Sequence, residues 1–117
     1  MARLWWFSAD KTSALSQDPA VQRAAQSTYS LVNGQLANEF FLGRAFATAR
    51  FTAPAPTSKP LILTGVKAAW LDGKPLSLKD GQLTESIPAG NHALTVEVDQ
   101  GARFLRAQCD DVSFLGD

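Results

Sequence analysis

Few residues in this chain are equipped for chemistry: one imidazole, His92, one thiol, Cys109, and eleven carboxylates among eleven Lys and Arg. A nucleophile–base pair needs a hydroxyl or thiol beside the imidazole, and no G-x-S-x-G turn supplies one. His92 follows a turn at the start of a strand and reads as a surface residue. One thiol and one imidazole cannot build a cysteine-based zinc site, so Cys109 reads as a small buried hydrophobe. Glu39, Glu85 and Glu97 are dispersed, with no pair recognisable as the acid and nucleophile of a glycosidase. The phosphate-cradling glycine loop, the metalloprotease helix and the dinucleotide fingerprint are all missing from the sequence. A small hydrolase requires His92 and carboxylates to converge in a pocket. Binding is the better reading.

For binding, the three tryptophans matter most. Trp70 offers an aromatic face suited to the apolar C–H face of a pyranose, while Asp72, Lys74 and Asn91 can hold hydroxyls. The same residues read equally as architecture, with Trp70 in a sheet core beside Leu61 and Leu63 and with Asp72 and Lys74 serving a turn. Trp5 and Trp6 are adjacent in a short strand, so they point to opposite faces. One enters a core, and the other meets a partner layer or a ligand. Asp110 and Asp111 also alternate, so only one faces inward, where it needs a cation or an arginine such as Arg103 or Arg106.

The elements that must position these groups follow from length and pattern. A chain of 117 residues is one domain by size, spanning 1–117, and buries roughly two-thirds of its unfolded surface. Its formal net charge of +0 argues against a nucleic-acid partner recruited by charge. No segment approaches the roughly 20 apolar residues of a membrane span, and the N-terminus is too weakly apolar for a signal peptide. The abrupt start in Leu4-Trp5-Trp6-Phe7 reads as a piece of a longer chain.

Asp18 and Pro19 form a helix start, as N-cap and first helical residue. Val21, Ala24, Ala25, Thr28, Leu31 and Val32 then recur at helical spacing, which predicts a helix over about 19–32. Asn33-Gly34 either caps that helix or turns a hairpin between strands around Thr28–Val32 and Gln35–Leu42. Arg44–Thr52 reads as a strand, and the three prolines between Ala53 and Pro60 make a loop. Beyond it, Leu61–Thr64, Val66–Leu71, Lys74–Leu78, Gln82–Ile87, His92–Val98 and Arg103–Phe114 read as short strands. Asp72-Gly73, Asp80-Gly81 and Gly90-Asn91 turn them into consecutive hairpins. The spacing predicts a mainly-β fold, an antiparallel β-sandwich or barrel with one N-terminal helix.

Several phrases carry a resemblance. Trp70-Leu71-Asp72-Gly73-Lys74-Pro75-Leu76, Ile87 to Val96 with its Gly90-Asn91-His92, and Asp110-Asp111-Val112-Ser113-Phe114 are similar to successive strands of galactose-binding-like jelly-roll modules. Such modules are attached to bacterial glycoside hydrolases. The resemblance covers roughly the second two-thirds of the chain, in the expected order. The N-terminal helix and the short length depart from the usual module. The resemblance implies a jelly-roll sandwich, sugar binding by loop aromatics and polar side chains, and a structural calcium held partly by a last-strand carboxylate, here Asp111 or Asp110.

On these grounds the chain is expected to be a non-catalytic accessory module of a larger, secreted or periplasmic carbohydrate-active protein. Its partners are a glycan or a neighbouring domain or protein subunit. The alternative is an assembly module that binds protein through an apolar patch at Leu4–Phe7 and the segment ahead of the helix.

Overall fold

A computed structural model describes residues 1–8, 10–16 and 18–116. The described chain is mainly β, with two antiparallel sheets. The first sheet runs β2-β1-β4-β9-β6-β7, where β1 is Leu4–Ser8, β2 Gln26–Tyr29, β4 Phe46–Ala53, β6 Val66–Leu71, β7 Lys74–Pro75 and β9 Gly90–Val98. The short β11, Ser113–Phe114, pairs with the second half of β4 alongside β1. The second sheet runs β3-β10-β5-β8, comprising Leu36–Ala37, Phe104–Gln108, Leu61–Thr64 and Gln82–Leu83.

The cleanest alternation in the sequence, around Leu94, Val96 and Val98, lies in β9 at the middle of the first sheet. Its partner β4 places Ala47, Ala49 and Phe51 on the same side. These residues join Leu36, Leu61, Leu63, Leu83 and Leu105 of the second sheet in one apolar cluster. Small alanines on β4 leave room for larger residues opposite, and Trp5 is fully buried in this cluster. The core therefore draws on both sheets.

Turn chemistry behaves as its residues dictate. Asp72 and Gly73 both have positive φ, at 51° and 83°, as do Asp80 and Gly81 at 53° and 76°. That is the signature of the type I′ turn. The first joins the neighbouring strands β6 and β7, and the second closes an isolated bridge between Lys79 and Gln82. After Asp80-Gly81 the chain enters β8, which pairs with β5 in the second sheet. Successive strands from β5 onward alternate between the sheets, apart from the small β6–β7 hairpin. The expected run of consecutive hairpins is thus corrected: turns reverse the chain, but most carry it across the core. Gly90-Asn91 does not turn at all, since it opens β9.

The N-terminal region also differs from expectation. The helix predicted over about 19–32 is limited to α2, Pro19–Ala24, capped by Asp18, whose carboxylate accepts from the Ala20 amide at 2.9 Å. Another short helix, α1 at Lys11–Ala14, precedes it, with Asp10 accepting from the Ser13 amide at 2.7 Å. Residues 26–29 leave the helix because β1 offers an open edge, and β2 fills it with Trp5 opposite Thr28. Asn33-Gly34 lies in a tight turn in which the Gly34 amide donates to Leu31, but β2 and β3 on either side belong to different sheets. Among the described residues no helix is long and apolar enough to cross a membrane.

Gly65 links β5 to β6 with φ of +78°, and a Cβ there would run into the Phe104 carbonyl. Gly73 also has positive φ, but a Cβ there would meet open space. Gly65→Ala is therefore expected to lower unfolding free energy more than Gly73→Ala, for which the left-handed backbone alone costs about 1–2 kcal/mol. Urea denaturation of the two variants checks the order.

Candidate functional site

The face of the first sheet turned away from the core carries the polar residues of β4 and β9. Strand alternation puts Phe46, Thr48, Arg50 and Thr52 there from β4, and Asn91, Ala93, Thr95 and Glu97 from β9. One cross-strand row reads Trp6, Thr48, Thr95, Trp70. The two threonine hydroxyls are buried and hydrogen-bonded to each other at 3.0 Å. Helix α1 contacts both β1 and β4, and its Lys11 ammonium stands 4.9 Å from the centre of the Trp70 ring. Trp70 also meets the Phe46 ring at 6.4 Å.

Beyond this covered row the face opens. A groove of about 600 Å³ is lined by Arg50, Thr52, Asp72, Asn91, Ser113 and Leu115, with neighbouring residues of the same three strands. Thr52 donates its hydroxyl hydrogen to Asn91 Oδ1 at 2.7 Å. That bond fixes the amide so that its NH₂ group points elsewhere. The Arg50 guanidinium lies over the Trp6 ring, 5.7 Å from its centre, and no carboxylate among the described residues pairs with it. A stacked but unpaired guanidinium retains its in-plane donors for another partner.

Asp72 closes one end of the groove. Its left-handed backbone, set by the turn, aims Oδ1 at the Ala93 amide at 2.8 Å and Oδ2 at His92 Nδ1 at 2.6 Å. The other ring nitrogen, Nε2, is 2.7 Å from the Pro88 carbonyl oxygen. Both neighbours are acceptors, so both bonds form only when both nitrogens carry protons. Burial alone would lower the His92 pKa, but the Asp72 hydrogen bond, the Pro88 carbonyl and the Asp72 charge together raise it above 6.5. The ring also stacks on Phe51 at 5.4 Å, which in turn meets Phe114 at 5.3 Å. His92 is thus a latch between two turns and the core edge. With both nitrogens engaged, it has no lone pair directed at a nucleophile.

The binding residues read from the sequence separate into groups. Asp72 and Asn91 come together at the groove. Trp70 is buried, though not beside Leu61 and Leu63: it lies on the opposite face of its sheet, beneath Lys11. Trp5 is in the core, and Trp6 reaches the groove only through Arg50. Lys74 is exposed on β7 and does not line the groove. Arg50, Thr52 and Ser113 are new members. The period-2 order of Arg44–Thr52 could have found the first two, because it sets Arg50 and Thr52 opposite Ala49 and Phe51.

Asp110 and Asp111 point to different tasks. Asp111 Oδ2 accepts from the Ser58 and Lys59 amides, both at 2.7 Å, and from the Ser58 hydroxyl at 3.3 Å. These bonds pin the proline-rich loop to the last turn and hold the Asp111 pKa below its ordinary value, the Lys59 amide contributing most. Asp110 accepts from Gln108 at 3.2 Å. Among the described residues no three His, Cys, Asp or Glu side chains gather as a metal would need. Asp111 Oδ2 is taken up by the donors of the proline-rich loop rather than left open for a cation. Cys109 is buried, and burial raises its thiol pKa, so it stays a protonated hydrophobe.

Comparison with protein-family models, curated proteins and solved structures found no match.

Two outcomes follow from these contacts. His92 gains its proton partners on folding, so its contribution to stability is full below about 6.5 and is lost as pH rises through the raised folded value. Denaturation between pH 5 and 9, a window on the order of the histidine range, should show this decline, and His92→Gln should flatten it. Asp111 has a lowered pKa, so its contribution is present at neutral pH and fades as acid titrates it. Asp111→Ala should lower the melting temperature, whereas added calcium or a chelator should leave the unmodified protein's melting temperature where it was.

Proposed function

We propose that this chain is a non-catalytic accessory module of the galactose-binding-like jelly-roll kind, part of a larger exported carbohydrate-active protein, and that it binds a glycan weakly. Two antiparallel sheets contributing to one apolar cluster support the sandwich architecture. The observation that carries the binding role is the groove over β4 and β9. It presents the Arg50 guanidinium, the Asn91 amide and the Ser113 hydroxyl on a paired sheet, where ordering them on binding costs little. Arg50 lies over the Trp6 ring, and this favours weak, hydrogen-bonded recognition of hydroxyl-rich ligands. The engagement of both His92 nitrogens supports binding over catalysis.

A second reading, contact with a neighbouring domain or subunit, is favoured by one observation. Tyr29, Leu31 and Val32 are 59%, 65% and 77% exposed at the outer edge strand β2 and the turn after it. The patch expected at Leu4–Phe7 is not the surface involved, because Trp5 and Phe7 are buried and β1 is covered on both edges. An unbroken edge strand with apolar neighbours is a natural pairing surface.

Affinity electrophoresis through gels containing different soluble polysaccharides tests the first reading. Retardation in at least one gel is expected, and Asn91→Ala should reduce it. Unchanged mobility across the whole panel would sink the glycan role and leave the β2 edge as the working surface.

A further inference from the structure

We infer that the groove selects acidic glycans, and specifically that Arg50 receives the carboxylate of a uronic-acid residue. This inference rests on the glycan reading and gives it a substrate class. Three observations carry it.

The first is the charge balance of the groove. Arg50 and Asp72 are its two groups of formal charge besides His92. The Asp72 carboxylate is already used: one oxygen faces His92 Nδ1 and the other takes the Ala93 amide. With both ring nitrogens facing acceptors, the protonated form of His92 offsets the Asp72 charge. Among the described residues that line the groove, Arg50 is then the charge left without a partner.

The second is that Arg50 is held without being satisfied. Its guanidinium is stacked over Trp6, 5.7 Å from the ring centre, and no acidic side chain among the described residues reaches it. Stacking restricts the side chain yet leaves the planar N–H fork free at its rim. A planar fork of this kind matches a carboxylate through two parallel hydrogen bonds.

The third is the set of neutral donors around it. In the β4–β9 register, Thr52 faces Asn91 and Arg50 faces Ala93, so Arg50 and Asn91 are diagonal neighbours on one face. Diagonal backbones lie roughly 7–8 Å apart, within reach of a long side chain. That separation accommodates one sugar ring, with its carboxylate on Arg50 and its hydroxyls on the Asn91 amide and Ser113. A neutral sugar would use the second half of this arrangement and leave the charge idle.

The test compares gels of polygalacturonate, neutral galactan and dextran sulfate at matched ionic strength, with the unmodified chain and two variants. Retardation by polygalacturonate should exceed that by galactan by about ten-fold in apparent affinity, the scale of one charge-assisted paired hydrogen bond. Arg50→Gln should remove this excess. Asn91→Asp keeps the acceptor for Thr52 and places a carboxylate beside Arg50, so it should also abolish the excess while the circular dichroism spectrum stays that of the unmodified chain. Equal retardation by galactan and polygalacturonate would overturn the acidic selectivity while the glycan reading stands. Equal or stronger retardation by dextran sulfate would overturn the carboxylate assignment in favour of simple polyanion attraction. Retention of the excess in both variants would overturn the site. No retardation in any gel would defeat the glycan reading itself.

Discussion

The structure depends on the pairing of β4 with β9. The two strands match from Phe46 opposite Glu97 to Ala53 opposite Gly90, the longest ladder in the molecule. Every other strand of the first sheet attaches to one of them or to a strand that does: β1 and β11 to β4, β6 to β9, then β2 and β7 at the margins. Because successive side chains alternate, this one ladder supplies two surfaces. Ala49, Phe51, Leu94 and Val96 face the core, while Thr48, Thr95, Arg50, Thr52 and Asn91 face away from it. The register that buries the first set is the register that aligns the second. A slip of one residue would expose the core and bury the groove.

That coupling explains why the polar face is ordered without being covered along its whole length. Helix α1 and the two tryptophans close over the Thr48–Thr95 pair, and the covering stops at Arg50. From there to Ser113 the face is open. The Asp72–His92 contact holds the far corner, joining the β6–β7 turn to Pro88 and to the aromatic edge of the core at Phe51. Asp111 does similar work at the proline-rich loop, where Thr57 also bonds to Ile87 through both its amide and its hydroxyl. Polar contacts of this kind place loops that apolar burial alone would leave undirected.

The sequence shows most of the strands and few of their neighbours. Leu94, Val96 and Val98 alternate so regularly that β9 could be placed from them alone, and Asp72-Gly73 marks a turn whose two positive φ values the structure has. What alternation and turn residues lack is any statement of partner. Asp80-Gly81 makes the same type of turn as Asp72-Gly73, bridging Lys79 to Gln82, yet one joins two strands of the first sheet while the other leads into β8 of the second. Residues 26–29 show helical spacing but become a strand, because an open edge on β1 outweighs a weak local preference. The groove was half legible. Asp72 and Asn91 stand in phrases that attract attention, whereas Arg50 gains meaning only when Trp6 arrives beneath it from more than forty positions away. Trp70, the most obvious aromatic, is covered by Lys11 from a helix that no spacing announced.

If the β4–β9 ladder is the common support of core and groove, its amides must be the last to exchange. Native-state hydrogen exchange at Ala47, Ala49, Leu94 and Val96 should proceed only through global unfolding, with protection equal to the free energy from denaturation. The β1–β2 edge should open earlier. Exchange at those four amides through a lower-energy local opening, while β1 and β2 stay protected, would contradict the account.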